Sequence, residues 1–142
     1  MKYIFTICVL LCCFSYSSAQ ITDLTTKKID DRFIGTWTGS EKDKQVKGLT
    51  KYWVQDRSEN GTYLILFTII DNKGKVQSSA EKGRWWVTNN VFYETPFSSG
   101  TETPTTYTFE FLDGERIKFK VKSSSVSFDD ENYQFIDTKI DY

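Results

Sequence analysis

The sequence predicts an all-β chain, an antiparallel up-and-down β-barrel preceded by a short N-terminal helix or leader, and three observations carry that prediction. Segments of alternating apolar and polar residues recur from residue 35 onward, about nine or ten of them, separated by tight-turn residues. Aromatic residues make up 16% of the chain and fall mostly inside those segments, so large rings are at hand to fill an interior. Patterns of helical period are nearly absent. A succession of hairpins closes most simply as an up-and-down barrel, which leaves no strand edge exposed.

The first strand opens with Gly35-Thr36-Trp37-Thr38-Gly39, where a glycine two residues before a tryptophan lets backbone pack over a large indole. Gly35 and Trp37 are therefore expected to form a structural plug at the barrel floor. Residues 40–50 are dense in charge of both signs and nearly devoid of apolar side chains, which predicts an exposed loop. In residues 51–57, Tyr52 and Val54 alternate with Lys51, Trp53 and Gln55, and Asn60-Gly61 supplies a two-residue hairpin signal. Asn60-Gly61-Thr62 is also an N-glycosylation sequon, though the hairpin accounts for the residues without any sugar.

The next strand, residues 62–70, is apolar on both faces: Tyr63, Ile65, Phe67 and Ile69 on one, Leu64, Leu66 and Ile70 on the other. Such a strand is expected to be covered on its second face, by the N-terminal segment in preference to a partner molecule. Asp71-Asn72-Lys73-Gly74 is a turn. Beyond it Gly83 is either a turn between two strands or a bulge in one long bent strand. The choice decides whether the 40–50 loop and a second long loop, residues 96–104 from Pro96 to Pro104, share one mouth. Asn89-Asn90 turns the chain between them. Tyr107, Phe109 and Phe111, then Asp113-Gly114, then Ile117, Phe119 and Val121 form the clearest hairpin, and a last strand from Tyr133 is expected to close the barrel on the first.

The N-terminus reads as an export signal. Residues 4–14 are apolar but too short to span a bilayer, and Ser17-Ser18-Ala19 places small residues where signal peptidase cuts, so residues 1–19 are expected to be removed after Ala19. No later segment has the apolar length of a membrane span. The expected product is secreted or periplasmic, with a leader at residues 20–32 and a barrel domain at residues 33–142. Leu24, Lys28 and Asp31 share a helical face, so the leader is either a short helix capping the closed end or a mobile lead-in. Cys8, Cys12 and Cys13 all lie in the signal, and a lipid anchor is not expected because Leu11 and Cys12 occupy positions that need a small residue.

Removing residues 1–19 takes one base, Lys2, and no acid, so 17 basic side chains face 19 acidic ones over 123 residues, a formal charge of −2. That balance argues against a nucleic-acid partner. The absence of histidine, and of cysteine beyond the signal, removes the usual metal and haem ligands, the thiolate nucleophile and the commonest general base. No cofactor, metal site or catalytic residue is predicted, and the chemistries left open are a carboxylate- or tyrosine-dependent activity and calcium binding by oxygen ligands. Among the acids on inferred core faces, Asp56 and Asp137 are too far apart in sequence to form a motif.

The Gly35-x-Trp37 opening together with the aromatic meander resembles the lipocalin (calycin) superfamily, in particular the small lipocalin-like proteins secreted by bacteria, over residues 33–140. The chain departs from that pattern: it is shorter than animal lipocalins, has no long helix after the last strand and no disulfide, and offers only Lys139 where many members set an arginine across the tryptophan. The resemblance implies a barrel holding one small apolar ligand. Candidate lining residues are Tyr52, Tyr63, Phe67, Trp85, Tyr93, Tyr107, Phe109, Phe119, Tyr133 and Phe135. The same rings could instead fill a solid barrel, and the chain would then serve as a secreted interaction module, an inhibitor or accessory subunit, using Phe97 in the 96–104 loop, Trp53 and Trp86 as exposed anchors.

Overall fold

The computed structural model describes residues 27–98 and 103–141. Eight strands follow a 3-10 turn at Asp31–Phe33: β1 Gly35–Lys42, β2 Leu49–Arg57, β3 Thr62–Asp71, β4 Val76–Thr88, β5 Val91–Pro96, β6 Thr105–Phe111, β7 Arg116–Ser123 and β8 Gln134–Lys139. Each pairs antiparallel with the next, and β8 returns to β1, so the sheet is a closed barrel. The up-and-down barrel expected from the hairpins is therefore present with eight strands, not nine or ten. The surplus came from Gly83, which lies within one unbroken β4 whose pairing with Tyr63 on one side and Pro96 on the other shows neither turn nor bulge. A Cβ there would strike the Thr95 carbonyl and the Tyr63 ring, so the glycine answers a close approach.

With β4 continuous, the connections after β1, β3, β5 and β7 lie at one end, and both long loops share the mouth. The first is shorter than the charge pattern suggested. Strand β1 continues to Lys42, and Glu41 is buried with Oε2 accepting from the backbone N–H of Lys44 and Gln45, both at 3.1 Å. The β7–β8 connection folds across to this loop, Asp129 and Asp130 donating their N–H groups to the carbonyls of Gln45 and Lys44 at 3.1 and 3.0 Å.

The opposite end is closed by the chain before β1. Phe33 is fully buried and its ring centroid lies 4.9–6.1 Å from those of Trp85, Phe92, Phe109, Phe111 and Phe119. Trp37, 1% exposed, donates its indole N–H to the Phe33 carbonyl at 2.9 Å, as a floor plug should. Lys139 reaches over the Trp37 ring at 5.6 Å, and the Arg57 guanidinium lies 5.7 Å from it. Before the 3-10 turn, Lys28 bridges to Val87 and Ile29 packs at Gly61. The signal, its cleavage site, most of the leader including Leu24, and the tip of the 96–104 loop lie outside the described residues.

The seam between β8 and β1 is short, only Trp37↔Lys139 and Thr38↔Thr138 being in register. Mouthward of it the indole of Trp53 crosses over Gly39, where a Cβ would collide with that ring and come within 2.8 Å of the Ile136 carbonyl. A second glycine of the opening motif thus makes room for a side chain that fills the gap in the sheet. The outer face of β2 and β3 stays uncovered by any described residue: Val54 sits opposite Leu66, and Tyr52, Val54, Leu64 and Leu66 are 46, 41, 39 and 53% exposed. Most of the N-terminal segment expected to cover it lies outside the described residues.

Candidate functional site: the barrel cavity

A cavity of about 210 Å³ opens inside the mouth. On the basis of about 30 Å³ per water, that is room for about seven waters or a small organic molecule. Its lower wall is Phe92 and Phe119, which also roof Phe33, and its sides carry Trp53, Phe67, Tyr107 and Phe135. Gln45, Val126 and Phe128 come from the mouth loops, with Phe128 stacked on Tyr133 at 4.5 Å.

Of the ten candidate residues, Tyr63, Phe67, Tyr107, Phe119, Tyr133 and Phe135 face this cavity. Trp85 and Phe109 are inside but lower, packed around Phe33. Tyr52 and Tyr93 are corrected to the outer surface: Tyr52 is 46% exposed, and Tyr93 stacks on Trp86 at 5.2 Å. Trp53 is corrected in the other sense, from exposed anchor to a 5% exposed wall of the cavity. Phe97 is exposed at 59%, with the Arg84 guanidinium 5.8 Å from its ring. Asp56 points outward and accepts from the Thr36 hydroxyl at 3.1 Å, while Asp137 is fully buried.

The feature the candidate set missed is a buried polar relay across the barrel. Asp137 on β8 pairs with Arg57 on β2 at 2.5 Å and accepts the Trp53 indole N–H at 2.8 Å through its other oxygen. Arg57, 2% exposed, also donates to Gln55 Oε1 at 2.7 Å. Gln55 in turn donates through Nε2 to Glu94 Oε1 on β5. The guanidinium is set among rings, 5.1 Å from Phe92, 5.3 Å from Phe119 and 5.7 Å from Trp37. Its Nε and Nη1 have no hydrogen-bond partner in the described structure and meet those π faces instead.

Above the relay, Tyr63 donates its hydroxyl to Glu81 on β4 at 2.8 Å. Lys51 lies nearer the rim, donating to Gln45 Oε1 at 2.8 Å and standing 4.2 Å over the Phe67 ring. Burial pushes the Glu94 carboxyl up to about 6 against the opposing pull of Arg57 and Gln55, and pulls the Lys51 ammonium below its ordinary value. Burial, with the nearby carboxylates, also raises the Tyr63, Tyr107 and Tyr133 phenols, which stay protonated donors. The cavity is thus amphipathic, with aromatic walls and a chain of fixed hydrogen-bonding groups. No protein-family model matches the chain, and no curated protein is significantly similar to it.

Proposed function

We propose that the chain is an exported lipocalin-like barrel that binds one small molecule in its mouth-end cavity, and that it is a binding protein and not an enzyme. The observation that carries the reading is the cavity itself, which joins aromatic walls to positioned polar groups, the combination that buries a ligand and fixes its orientation. The polar relay modifies the apolar ligand implied by the family resemblance: the molecule suited to these walls is amphipathic. Export to the periplasm or the medium is supported by the signal-like residues 1–19, and the intact mass of exported protein should correspond to a chain beginning at Gln20.

Native mass spectrometry of gently purified protein, with titration of an apolar fluorescent dye, tests the binding reading. A one-to-one complex and dye uptake quenched by Val126→Trp, a substitution that crowds the mouth, are the expected results. A compact monomer that carries nothing and excludes the dye would overturn it. A second reading, an interaction module, is favoured by the exposed Tyr52, Val54, Leu64 and Leu66 face and by exposed Phe97 beside the 96–104 loop. On that reading a stoichiometric protein partner is lost on Val54→Ser with Leu66→Ser or on Phe97→Ser, and dye uptake is unchanged.

A further inference from the structure

Among the described residues, four carboxylates and two cations serve the barrel interior above the floor, where Lys139 lies over Trp37. Glu41 comes from β1, Glu81 from β4, Glu94 from β5 and Asp137 from β8, while both bases, Lys51 and Arg57, come from β2. Two of the acids are already answered: Asp137 by Arg57 and the Trp53 indole, and Glu41 by two backbone N–H groups. Arg57 is committed through Nη2 to Asp137 and Gln55, and its other two nitrogens, without hydrogen-bond partners, lie among the rings of Phe92, Phe119 and Trp37. Lys51 alone is left for Glu81 and Glu94, and its ammonium is held toward the rim by Gln45 and Phe67. With Glu41 held by backbone N–H groups and Lys51 facing both Glu81 and Glu94, the interior carries more carboxylates than cations.

We propose that the cavity takes an organic monocation, a molecule with one protonated amine hydrogen-bonded to Glu94 and Glu81 and a small apolar body against Phe67, Tyr107 and Phe135. The inference rests on the cavity being a ligand site. Gln55 occupies Oε1 of Glu94 and Tyr63 occupies Oε1 of Glu81, which leaves the second oxygen of each as an acceptor. An ammonium supplies the donors these oxygens need and the charge that the enclosure lacks, and its desolvation is offset by charge-assisted hydrogen bonds and by the ring faces around it. An anion would meet the carboxylate excess. Among the described residues no three His, Cys, Asp or Glu side chains are placed to hold a metal ion, so the cation that fits is an organic one.

The present state of Glu94 agrees with this. A carboxyl that burial raises to about 6 is one whose ionised form is poorly stabilised by its surroundings, and an ammonium at its second oxygen would supply that stabilisation. Facing it are Glu81 from β4, Lys51, Gln55 and Arg57 from β2, Tyr63 from β3, Tyr107 from β6 and Asp137 from β8, with Tyr133 at the rim.

Three probes of one size and different charge test the proposal on the purified full-length protein: 2-phenylethylamine, 2-phenylethanol and phenylacetate, followed by quenching of tryptophan fluorescence and by calorimetry. The amine should bind about 10- to 100-fold more tightly than the alcohol, as a hydrogen bond to a charged group implies, and phenylacetate more weakly than either. Its affinity should hold steady near neutral pH and fall as pH drops through about 6, where Glu94 regains its proton. Glu94→Gln, checked for folding by circular dichroism, should bring amine and alcohol to equal affinity. Alcohol or phenylacetate binding as tightly as the amine, or dye uptake with no amine binding, overturns the cation while leaving the cavity a ligand site. Exclusion of all three probes and of the dye overturns both readings.

Discussion

Asp137→Asn should be among the most damaging isosteric changes in this protein. It leaves Arg57, 2% exposed, as a buried cation whose 2.5 Å carboxylate partner is gone, while the amide oxygen of the substituted side chain can still accept the Trp53 indole N–H. Breaking a buried pair from one side costs about 3–5 kcal/mol. The lower figure applies here because Gln55 Oε1 at 2.7 Å and three ring faces go on stabilising the guanidinium. A loss of about 3 kcal/mol is a large part of a domain stability of about 5–15 kcal/mol and lowers the midpoint by about 12 °C. Arg57→Met, which strands Asp137, should lose a similar amount. The double variant Arg57→Met with Asp137→Asn contains no buried charge at either position and should lose no more than about 2 kcal/mol, far less than the two single losses added together. Urea and thermal unfolding followed by circular dichroism measure all four corners of this cycle. Additive losses, or an Asp137→Asn variant within about 0.5 kcal/mol of the parent chain, the range of ordinary surface changes, would refute the pairing as a determinant of the fold.

Three further measurements probe the floor, the seam and the cavity. Phe33→Ala removes the ring on which five others converge and should cost about 3–5 kcal/mol in urea unfolding; a small change would mean that the floor is not packed as described. Gly39→Ala drives a methyl into the Trp53 indole and should cost about 1–3 kcal/mol, whereas Gly114→Ala, with nothing within 4 Å of the added carbon, should change stability by about 0.5 kcal/mol or less. Glu94 has its folded-state pKa raised from 4.5 to about 6, so between those values the folded chain binds the proton more tightly than the unfolded one. Its contribution is then fully present below about 4.5 and is lost as pH rises through about 6, a change of about 2 kcal/mol that should separate the parent chain from Glu94→Gln, with the variant the more stable at neutral pH.

The fold was legible because it depends on features that are local in sequence. Alternation over β6 and β7 and the glycine or asparagine turns mark the hairpins, and Asn89-Asn90 turns the chain with positive φ at both residues, 51° and 57°. The floor was legible in part. Gly35-x-Trp37 announced the plug, but Phe33, two residues before Gly35, gave no periodic signal, since its burial comes from a single 3-10 turn tucked under the barrel. The polar relay was not legible, because Arg57 and Asp137 are brought together only when the eighth strand meets the first.

The misplaced residues have one physical cause, the parity of a hairpin. A two-residue Asn60-Gly61 turn would pair Ser58 with Tyr63 and put Asp56, Val54 and Tyr52 on the inner face. The turn is longer: Gly61 N–H donates to the Ser58 carbonyl at 3.0 Å, Gly61 adopts φ 76°, and Arg57 faces Tyr63. A shift of one residue turns every side chain of β2 over, so Lys51, Trp53, Gln55 and Arg57 point in and Tyr52 and Val54 point out. The inner face of β2 looked like a solvent face in the sequence because this interior is polar, and binary patterning cannot tell a polar cavity wall from a solvent face. On β5 the answer was within reach. The short Asn89-Asn90 turn places Glu94 opposite Trp85 and Tyr93 opposite Trp86, so an inward Trp85 already requires an inward Glu94. A carboxylate forced to the inside by its own turn, in a chain with no histidine and with no three side chains placed to hold a metal ion among the described residues, is the point in the sequence where a charged cavity wall could have been foreseen.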